Sequence, residues 1–390
     1  LFVIIDSAFP YQSGGRETWL AEIVNRLCGD FSVSVVAMMN YTSRSEPFHH
    51  IPGNVKIHRV PSLFNLRVGG RFATLKYLLG GFLVFTLISS VVLLLRYPFP
   101  RVPTYVVSMS PGHSFLPTLF VRGRKVMRIA CVRGPYVEEM SWVFPRFEKA
   151  FKDLQAFSYN KVDLIVANGE DTRSVVSREI SNKRKVVTLP NGVNYDKFSK
   201  AFKDRTSCVK VIGMICSLSY DRGTDAVLLA ARVLERITDI SFRIELVGKG
   251  NVDKYRKRAA ELGVDDVVTF WGERTDVDEI LANMDIALAL SHGGSGISHS
   301  LLEEMAAGKA IIALNIPAYK QVLKDGVTGL LVPDGEPEAL ANAMERLIKD
   351  DDLASKLGKS AHKEAAKYDW SVVERRFRFI LHKLFTDKIE

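Results

Sequence analysis

Strand-length runs of apolar residues alternate with helix-length segments along most of this 390-residue chain. In the second half the runs are VKVIGMI, FRIELVG, VVTFWG, DIALAL, KAIIAL and TGLLV, and segments of about ten to fifteen residues separate them. Continuous apolar runs, unlike alternating ones, are typical of parallel strands that are covered on both faces. The pattern therefore predicts an α/β fold built on doubly wound parallel sheets.

The first half repeats this organisation. A run LFVIID leads into the turn-rich loop SAFPYQSGG, a helical segment RETWLAEIVNRLC and a second run FSVSVVAMM, and TYVVSM, VMRIAC and VDLIVA follow as further strands. The polar stretch LPNGVNYDKFSKAFKDRTS then suits a linker. We expect a first domain over residues 1–200, a second over residues 205–369, and a ligand site in the cleft between them, outside the carboxyl ends of the strands. An apolar content of 47% suffices for two cores.

The net charge of +9 is concentrated in one part of the chain. Residues 61–150 hold twelve Lys or Arg and three Glu, and no acidic residue lies between Glu46 and Glu138. Such a run favours a surface that meets an anionic phospholipid face, a phosphorylated substrate or nucleic acid, and a chance run in a basic protein is the plainer alternative. No nucleic-acid-binding module or stacked-aromatic motif is recognisable, so a nucleic-acid partner is not expected.

Residues 77–95, YLLGGFLVFTLISSVVLLL, carry no charge and lie between Lys76 and Arg96. The length would allow a membrane span, but a crossing here would place LFVIID and TYVVSM on opposite sides of a bilayer although both belong to one predicted sheet. Two alternatives remain: a helix buried inside the domain, or a helix in the membrane interface, which the basic flanks and the aromatic stretch YVEEMSWVFPRFEKAF favour.

The segment GGSGISHSLLEEM reads as a glycine loop that opens an amphipathic helix. Gly293, Gly294 and Gly296 would let the chain approach a ligand closely, and the free N–H groups at the helix start would bind an anion such as a diphosphate. Glu303 would then lie one turn deeper, where it could accept hydrogen bonds from ribose hydroxyls. The structural alternative is a capping box, because Ser300 and Glu303 have the S-x-x-E spacing.

Two more loops could approach phosphate groups. Gly14 and Gly15 precede the first helix, and Arg222 precedes Gly223 and a helix in SLSYDRGTD. An exposed surface arginine is the alternative for Arg222. The four cysteines form no C-x-x-C pair, which indicates free thiols and a reducing compartment.

Taken together, these motifs resemble the retaining nucleotide-sugar glycosyltransferases of the GT-B fold, glycosyltransferase family 4. The likeness rests on the opening LFVIIDSAFPYQSGGRETWLAEIVNRL, on LPNGVNYDKF, ELVGKG and VTFWGERTD, and on the block GISHSLLEEMAAGKAIIA with DGVTGLLVPDGEPEAL. It implies two Rossmann-like domains facing a central cleft, and a final helix, residues 370–390, that returns to the first domain. The implied reaction moves a sugar from a nucleoside-diphosphate sugar to an acceptor hydroxyl with retention, without a metal ion or resident cofactor.

The resemblance also implies roles for residues. Gly14 and Gly15 would face the donor diphosphate and the transfer site, Arg222 would hold the phosphates, and Glu303 would bind the ribose. Gly248 would line the donor pocket and the main chain of Arg274 would contact the nucleobase. The full candidate set is Gly14, Gly15, Arg133, Arg222, Gly248, Arg274, Ser295, Gly296, Ile297, Ser298 and Glu303.

Three positions depart from the family pattern. Ser295 stands where the family usually has a glutamate that binds the transferred sugar, Ser217 where a second phosphate-binding arginine is common, and Arg133 where a histidine is frequent. A loss of enzymatic activity through these three substitutions is therefore an alternative. We hypothesise that Arg133 restores part of the missing positive charge, since a guanidinium pairs well with phosphate.

A divalent-ion site is not expected. Asp276 and Asp278 have the D-x-D spacing that some sugar transferases use, but both begin a predicted helix, where acids cap the helix and favour its dipole. The run 350–352 is interpreted in the same way. His49, His50 and His58 show no ligand spacing on one element.

The basic, apolar first domain suggests a membrane-bound acceptor, such as a polyprenyl-diphosphate-linked saccharide or a glycolipid precursor. The predicted location is peripheral, on the cytoplasmic face of a membrane. Two alternatives stay open: an epimerase or phosphorylase with the same fold, and a non-catalytic subunit with a degenerate site.

Overall fold

The structure is a computed structural model that describes residues 1–5, 7, 9–10, 14–39, 47, 49–60, 84–96, 100, 102–110, 114–134, 137, 145–182, 185–202, 209–219, 222–292 and 296–389. The chain divides into two compact units: unit 1 comprises Leu1–Pro190 and Val373–Glu390, and unit 2 comprises Asn191–Val372. The division falls before residue 200, the predicted domain end. Val193 accounts for this, because its N–H donates to Tyr368 O at 2.9 Å and its carbonyl accepts from Trp370 N at 3.1 Å, both within unit 2.

Unit 1 is a parallel α/β unit. Its elements are β1 Phe2–Ile5, α1 Gly15–Leu27, β2 Ser34–Met38, β3 Lys56–Val60, α2 Phe85–Arg96, β4 Thr104–Ser108, β5 Val126–Val132, α3 Glu148–Lys161, β6 Leu164–Ala167, α4 Glu170–Glu179 and β7 Val186–Thr188. The strands run in the order β3-β2-β1-β4-β5-β6-β7, and each pair is parallel.

The sequence missed two strands of this sheet, for different reasons. β3, with the sequence KIHRV, is an edge strand whose residues are mostly half-exposed, so it tolerates charges that hide its strand character. β7 has only three residues, too few for a recognisable pattern. The five predicted strands of this half are confirmed.

The last helix, α13 Trp370–Ile389, packs on unit 1 through its later turns. Phe377 meets Trp19 edge to face at 5.6 Å between ring centroids, and the Tyr105 hydroxyl donates to Leu381 O at 2.8 Å. Arg378 adds an ion pair with Asp30 at 2.5 Å. Two buried aromatic side chains therefore anchor a segment far away in sequence.

Unit 2 is built in the same way. Its elements are α5 Tyr195–Ser199, β8 Lys210–Ile215, α6 Thr224–Ile237, β9 Phe242–Val247, α7 Val252–Leu262, β10 Val268–Gly272, α8 Val277–Ala282, β11 Ile286–Ala289, α9 His299–Ala306, β12 Ala310–Leu314, α10 Pro317–Lys320, β13 Leu330–Val332, α11 Pro337–Lys349 and α12 Asp351–Ala365.

The sheet of unit 2 has the order β10-β9-β8-β11-β12-β13, again fully parallel. All six strands predicted from apolar runs are present. From β8 the chain adds β9 and β10 on one side, and then returns to build β11, β12 and β13 on the other. The strand order thus reverses between β8 and β11, which is where open α/β sheets leave a crevice for ligands.

The charge-free run at residues 77–95 is described only from residue 84 onwards. There it forms α2, whose Phe85 and Leu93 are buried while Leu87 and Leu95 are 62% and 77% exposed. In the part of the chain that the structure describes, no helix combines the length and the apolarity of a membrane span. Because Leu87 and Leu95 are exposed, residues 84–95 of this run are not a fully buried helix. Cys28, Cys131 and Cys216 are free thiols, and only Cys131 is buried.

Close packing of α12 on the segment after α9 yields a stability prediction. Alanine normally stabilises a helix interior by about 1 kcal/mol over glycine, but a Cβ on Gly358 would lie 2.2 Å from the carbonyl oxygen of Gly308. We expect Gly358→Ala to lower the free energy of unfolding by about 1–3 kcal/mol in urea titrations. Lys356→Ala, at an exposed position of the same helix, should be nearly neutral, and a stabilised Gly358→Ala would contradict the close contact.

Candidate functional site

Two loops of unit 2 meet at the carboxyl ends of β8 and β11, which are neighbours in the sheet. The loop after β8 carries Arg222, and the loop after β11 carries Ser291. The guanidinium Nη1 of Arg222 donates to Ser291 Oγ at 2.7 Å. Arg222 is therefore held at the point where the strand order reverses, and it is only partly exposed, unlike a solvent-exposed surface arginine.

The start of α9 forms the next part of the site. Ser298 is the N-cap residue, and its Oγ accepts a hydrogen bond from Leu301 N at 3.2 Å. Gly296 has φ +82°, a left-handed conformation that favours glycine. The helix start thus presents the N–H groups of its first turn, as an anion site requires.

The observed cap excludes one of the two interpretations of Glu303, the capping box. In a capping box, Ser300 would be the N-cap and Glu303 the third helical residue, but the helix begins at His299 with Ser298 as its cap. The capping-box alternative is therefore wrong, because Glu303 lies too far along the helix to reach back to the cap. Ser298 and Ser300 are equally suitable N-cap residues by type, so the sequence alone does not indicate which of them is the cap.

Contacts within unit 2 fix the loop that precedes α9. Asn191 Nδ2 donates to Ile297 O at 2.7 Å, and both residues are buried. His299 Nδ1 donates to Gly192 O at 3.2 Å, and its ring lies against Trp370 with centroids 5.8 Å apart. No role for Asn191 is predicted from the sequence. Its place in LPNGV, beside Gly192, is the one feature that could have marked it as a candidate.

Glu303 is half-buried on α9, near a charged pair from two other helices. Lys197 on α5 and Asp278 on α8 form an ion pair at 3.0 Å between Nζ and Oδ1. Burial raises the pKa of Glu303 from 4.5 to about 7, while the charge of Lys197 lowers it and that of Asp278 raises it. At neutral pH the carboxylate is thus balanced between its two protonation states, and Lys197 favours the ionised one.

The next residue behaves differently. Glu304 is 1% exposed, and its Oε2 makes no hydrogen bond. Burial, and then the charge of Glu303, raise the pKa of Glu304 well above its usual range, because both disfavour the ionised form. Of the two consecutive acids, only Glu303 is open to solvent and so to a ligand.

Position 248, at the end of β9, requires glycine because the backbone at Cys216 approaches it closely. A Cβ there would lie 1.7 Å from Cys216 O, and its φ is +148°. Its N–H donates to Gly272 O at 2.8 Å, which links the carboxyl ends of β9 and β10. Ser217, in the loop after β8, is exposed.

Arg274 follows β10 and is exposed. Its guanidinium pairs with both carboxylate oxygens of Asp276, at 2.8 Å for the Nε–Oδ1 contact, and lies 5.6 Å from the ring centroid of Trp271. Asp276 occupies the N-cap position of α8, but its side chain makes no capping bond, so the predicted capping is wrong for this residue. The hydrogen bond from Arg274 lowers the pKa of Asp276. Asp350, in contrast, caps α12 through Leu353 N at 2.8 Å, as predicted.

The remaining candidates lie in unit 1 or outside the described residues. Gly14 is the N-cap of α1, and Gly15 is its first residue. Arg133 stacks on Trp19, 4.1 Å from the ring centroid, and donates to Leu189 O at 3.2 Å. Burial lowers the pKa of Arg133 to about 10, which leaves it charged at neutral pH. Ser295 and its neighbours Gly293 and Gly294 lie outside the described residues, and among those described no three His, Cys, Asp or Glu side chains form a metal-binding group.

The raised pKa of Glu303 predicts a pH-dependent stability. A carboxyl whose pKa is about 7 in the folded state and 4.5 in the unfolded state stabilises the fold below pH 4.5, and this contribution is lost as the pH rises through 7. We expect Glu303→Gln to unfold with a free energy about 1–3 kcal/mol higher than the parent chain at pH 8, and with little difference at pH 4.5. Urea titrations at both pH values measure this. Glu235→Gln, on the exposed face of α6, is the control, and a constant difference at both pH values would contradict the assignment.

Solved structures show which fold this architecture belongs to. The Anabaena protein HepE, solved in complex with UDP and glucose, matches with a TM-score of 0.73 at 15% identity, over 98% of this chain and 99% of that protein. Sucrose-phosphate synthase from Thermosynechococcus elongatus matches with a TM-score of 0.77 at 16% identity, over 99% of both chains. The predicted GT-B class, with two parallel-sheet α/β domains, is confirmed.

Sequence comparison adds a nearer likeness over half of the chain. The phosphatidyl-myo-inositol mannosyltransferase of Mycobacterium leprae (strain TN) is 33% identical over 193 residues, which are 48% of this chain and 50% of that protein. The chain spans about half the length of these curated relatives. The family model described as Glycosyl transferases group 1 matches residues 196–364, which lie in unit 2 and include Arg222, Gly248, Arg274 and Glu303.

Proposed function

We propose that this protein is a glycosyltransferase that moves a sugar from a nucleoside-diphosphate sugar to an acceptor hydroxyl, with retention of anomeric configuration. One observation carries the proposal: where the strand order of unit 2 reverses, Arg222 donates to Ser291 in the loop that leads from β11 to α9, and Glu303 lies one turn inside α9. A cation and a helix start are the groups that bind a diphosphate. The match of residues 196–364 to the group 1 family covers the same groups.

In the proposed complex, the diphosphate accepts hydrogen bonds from the N–H groups at residues 296–298 and from Arg222. Glu303 in its ionised form accepts hydrogen bonds from the ribose hydroxyls, and Lys197 supports that form. Gly248 and the main chain of Arg274 line the base end of the site. The neighbour HepE supports this class of ligand, since it was solved with UDP-glucose as well as with UDP and glucose.

Cleavage of the bond between the sugar and the diphosphate adds one negative charge to those that the diphosphate already carries. Arg222 and the positive end of α9 would stabilise these charges, and fixed donors of this kind typically contribute a large share of catalysis. We propose that the neutralisation relies on these groups, without a metal ion. Gly14 and Gly15 would face the transfer site from unit 1, and we assign no residue as base or nucleophile.

Nucleotide binding tests this proposal directly. The parent chain should be stabilised against heat by at least one of UDP, GDP and ADP, because a ligand that binds the folded state raises the unfolding temperature. Arg222→Ala should weaken that binding by about ten- to a hundredfold in calorimetry, since it removes a charged hydrogen bond to phosphate. Arg256→Ala, an exposed arginine on α7, should leave it unchanged. If no nucleotide binds, or if both variants bind alike, the donor site lies elsewhere.

We also propose that the acceptor is membrane-bound and that unit 1 binds peripherally to an anionic lipid surface. Four apolar residues of α2 are about half exposed or more and share one face by their spacing: Leu87, Val91, Leu94 and Leu95. The helix packs on the one-turn segment Leu116–Phe120, and Arg122, Arg124 and Lys125 directly after it are exposed. An apolar helix face beside exposed cations is the arrangement of interfacial helices.

Vesicle flotation tests the lipid-binding face. The chain should float with vesicles that contain phosphatidylglycerol, and less with pure phosphatidylcholine, because each basic residue near an anionic surface adds about 1 kcal/mol. Leu95→Glu should reduce flotation at least about fivefold, since it removes apolar contact and adds a repelled charge. Val175→Glu, a half-exposed residue of α4 in the same unit, is the matched control. Equal flotation of the two variants would contradict this surface.

A further inference from the structure

Arg222, the proposed phosphate-binding residue, is connected to the interior of unit 2 through two contacts in series. Its Nη1 donates to Ser291 Oγ at 2.7 Å. The backbone of Ser291 in turn meets one hydroxyl group, because Ser291 N donates to Tyr319 Oη at 3.1 Å and that hydroxyl donates to Ser291 O at 3.3 Å. The Tyr319 hydroxyl thus binds both the N–H and the carbonyl of Ser291, whose side chain accepts from the Arg222 guanidinium.

Tyr319 is well suited to act as a fixed anchor. It lies on α10, is 4% exposed, and its own carbonyl accepts from Leu323 N at 2.8 Å. Burial raises the pKa of Tyr319, so the hydroxyl keeps its proton and can donate and accept at the same time. The ring cannot move without disturbing the core around it.

Arg222, in contrast, lies in a loop and needs such an anchor. Its long side chain has rotamer entropy to lose when a ligand orders it, and the backbone turns immediately after it through Gly223, whose φ is +84°. A guanidinium that is already oriented binds phosphate at a smaller entropic cost. The contact through Ser291 gives this orientation before the ligand arrives.

We propose that Tyr319 is a positioning residue for the diphosphate site, which sets the orientation of Arg222 through Ser291. The predicted consequence of this role, tighter nucleotide binding, rests on the proposed function. It assigns a role to a residue that no sequence motif marked.

The first experiment measures the link to Arg222 without any nucleotide. Tyr319→Phe removes the hydroxyl and keeps the ring, so both contacts to Ser291 disappear with little change in volume. The rate at which phenylglyoxal modifies Arg222, followed by mass spectrometry of the peptide, should rise about three- to tenfold, as expected for the loss of a hydrogen-bonded restraint. Tyr255→Phe, a buried tyrosine of α7, is the control and should not change the rate. Equal rates in Tyr319→Phe and the parent chain would overturn the inference.

The second experiment measures the consequence by calorimetry with UDP, GDP and ADP. Tyr319→Phe and Ser291→Ala should each weaken nucleotide binding about three- to tenfold, with unfolding temperatures close to that of the control variant. In the Arg222→Ala background neither should weaken binding further, because the anchored group is gone. An equal loss in that background would overturn the inference, since Tyr319 would then act by another path. If the parent chain binds none of the three nucleotides, the proposed function fails, and the modification rate alone decides on Tyr319.

Discussion

Parallel strands can be joined only by crossovers, and this constraint locates the whole candidate site. Every strand of unit 2 must send the chain over one face of the sheet before the next strand begins. The strand order reverses between β8 and β11, so the crossovers that follow these two strands run in opposite directions. Nothing in this topology requires their loops to contact each other. The hydrogen bond from Arg222 to Ser291 bridges these loops at 2.7 Å, so a cation is held by the loop that leads from β11 to α9.

The electrostatics of α9 follow from the depth of each acid along the helix. The positive end of the helix dipole lies at its entrance, where an anion gains most. Glu303 is half-buried and near Lys197, which draws its carboxyl toward the ionised state, whereas Glu304 is buried in the core, where desolvation raises its pKa. Two adjacent residues of one type therefore differ in environment because helical geometry turns them about 100° apart. Of the two, only Glu303 is open to a ligand.

Much of this fold could be predicted from the sequence, because buried parallel strands are marked by unbroken apolar runs, and only the polar edge strand β3 and the short β7 escaped. The approximate place of Arg222 and Glu303 could be predicted as well, since Arg222 directly precedes Gly223 and a helix, and Glu303 lies in the helix that follows a glycine loop. The cap of α9 could not, because Ser298 and Ser300 are equally good by composition. The contacts of Asn191, Lys197 and Tyr319 were out of reach for another reason: each joins segments whose closeness depends on tertiary packing, such as Asn191 and Ile297.

The positive charge of residues 61–150 shows how little a count of charges says about a surface. Arg128 donates to Thr118 O and Val121 O at 3.3 and 2.8 Å, and Arg133 stacks on Trp19, so these two cations serve the packing of unit 1. The cations that stay exposed in that window include Arg122, Arg124 and Lys125. They follow the segment on which α2 packs, and α2 carries the exposed apolar face. Arg122, Arg124 and Lys125 therefore lie beside apolar surface, which is the combination that an anionic lipid surface attracts.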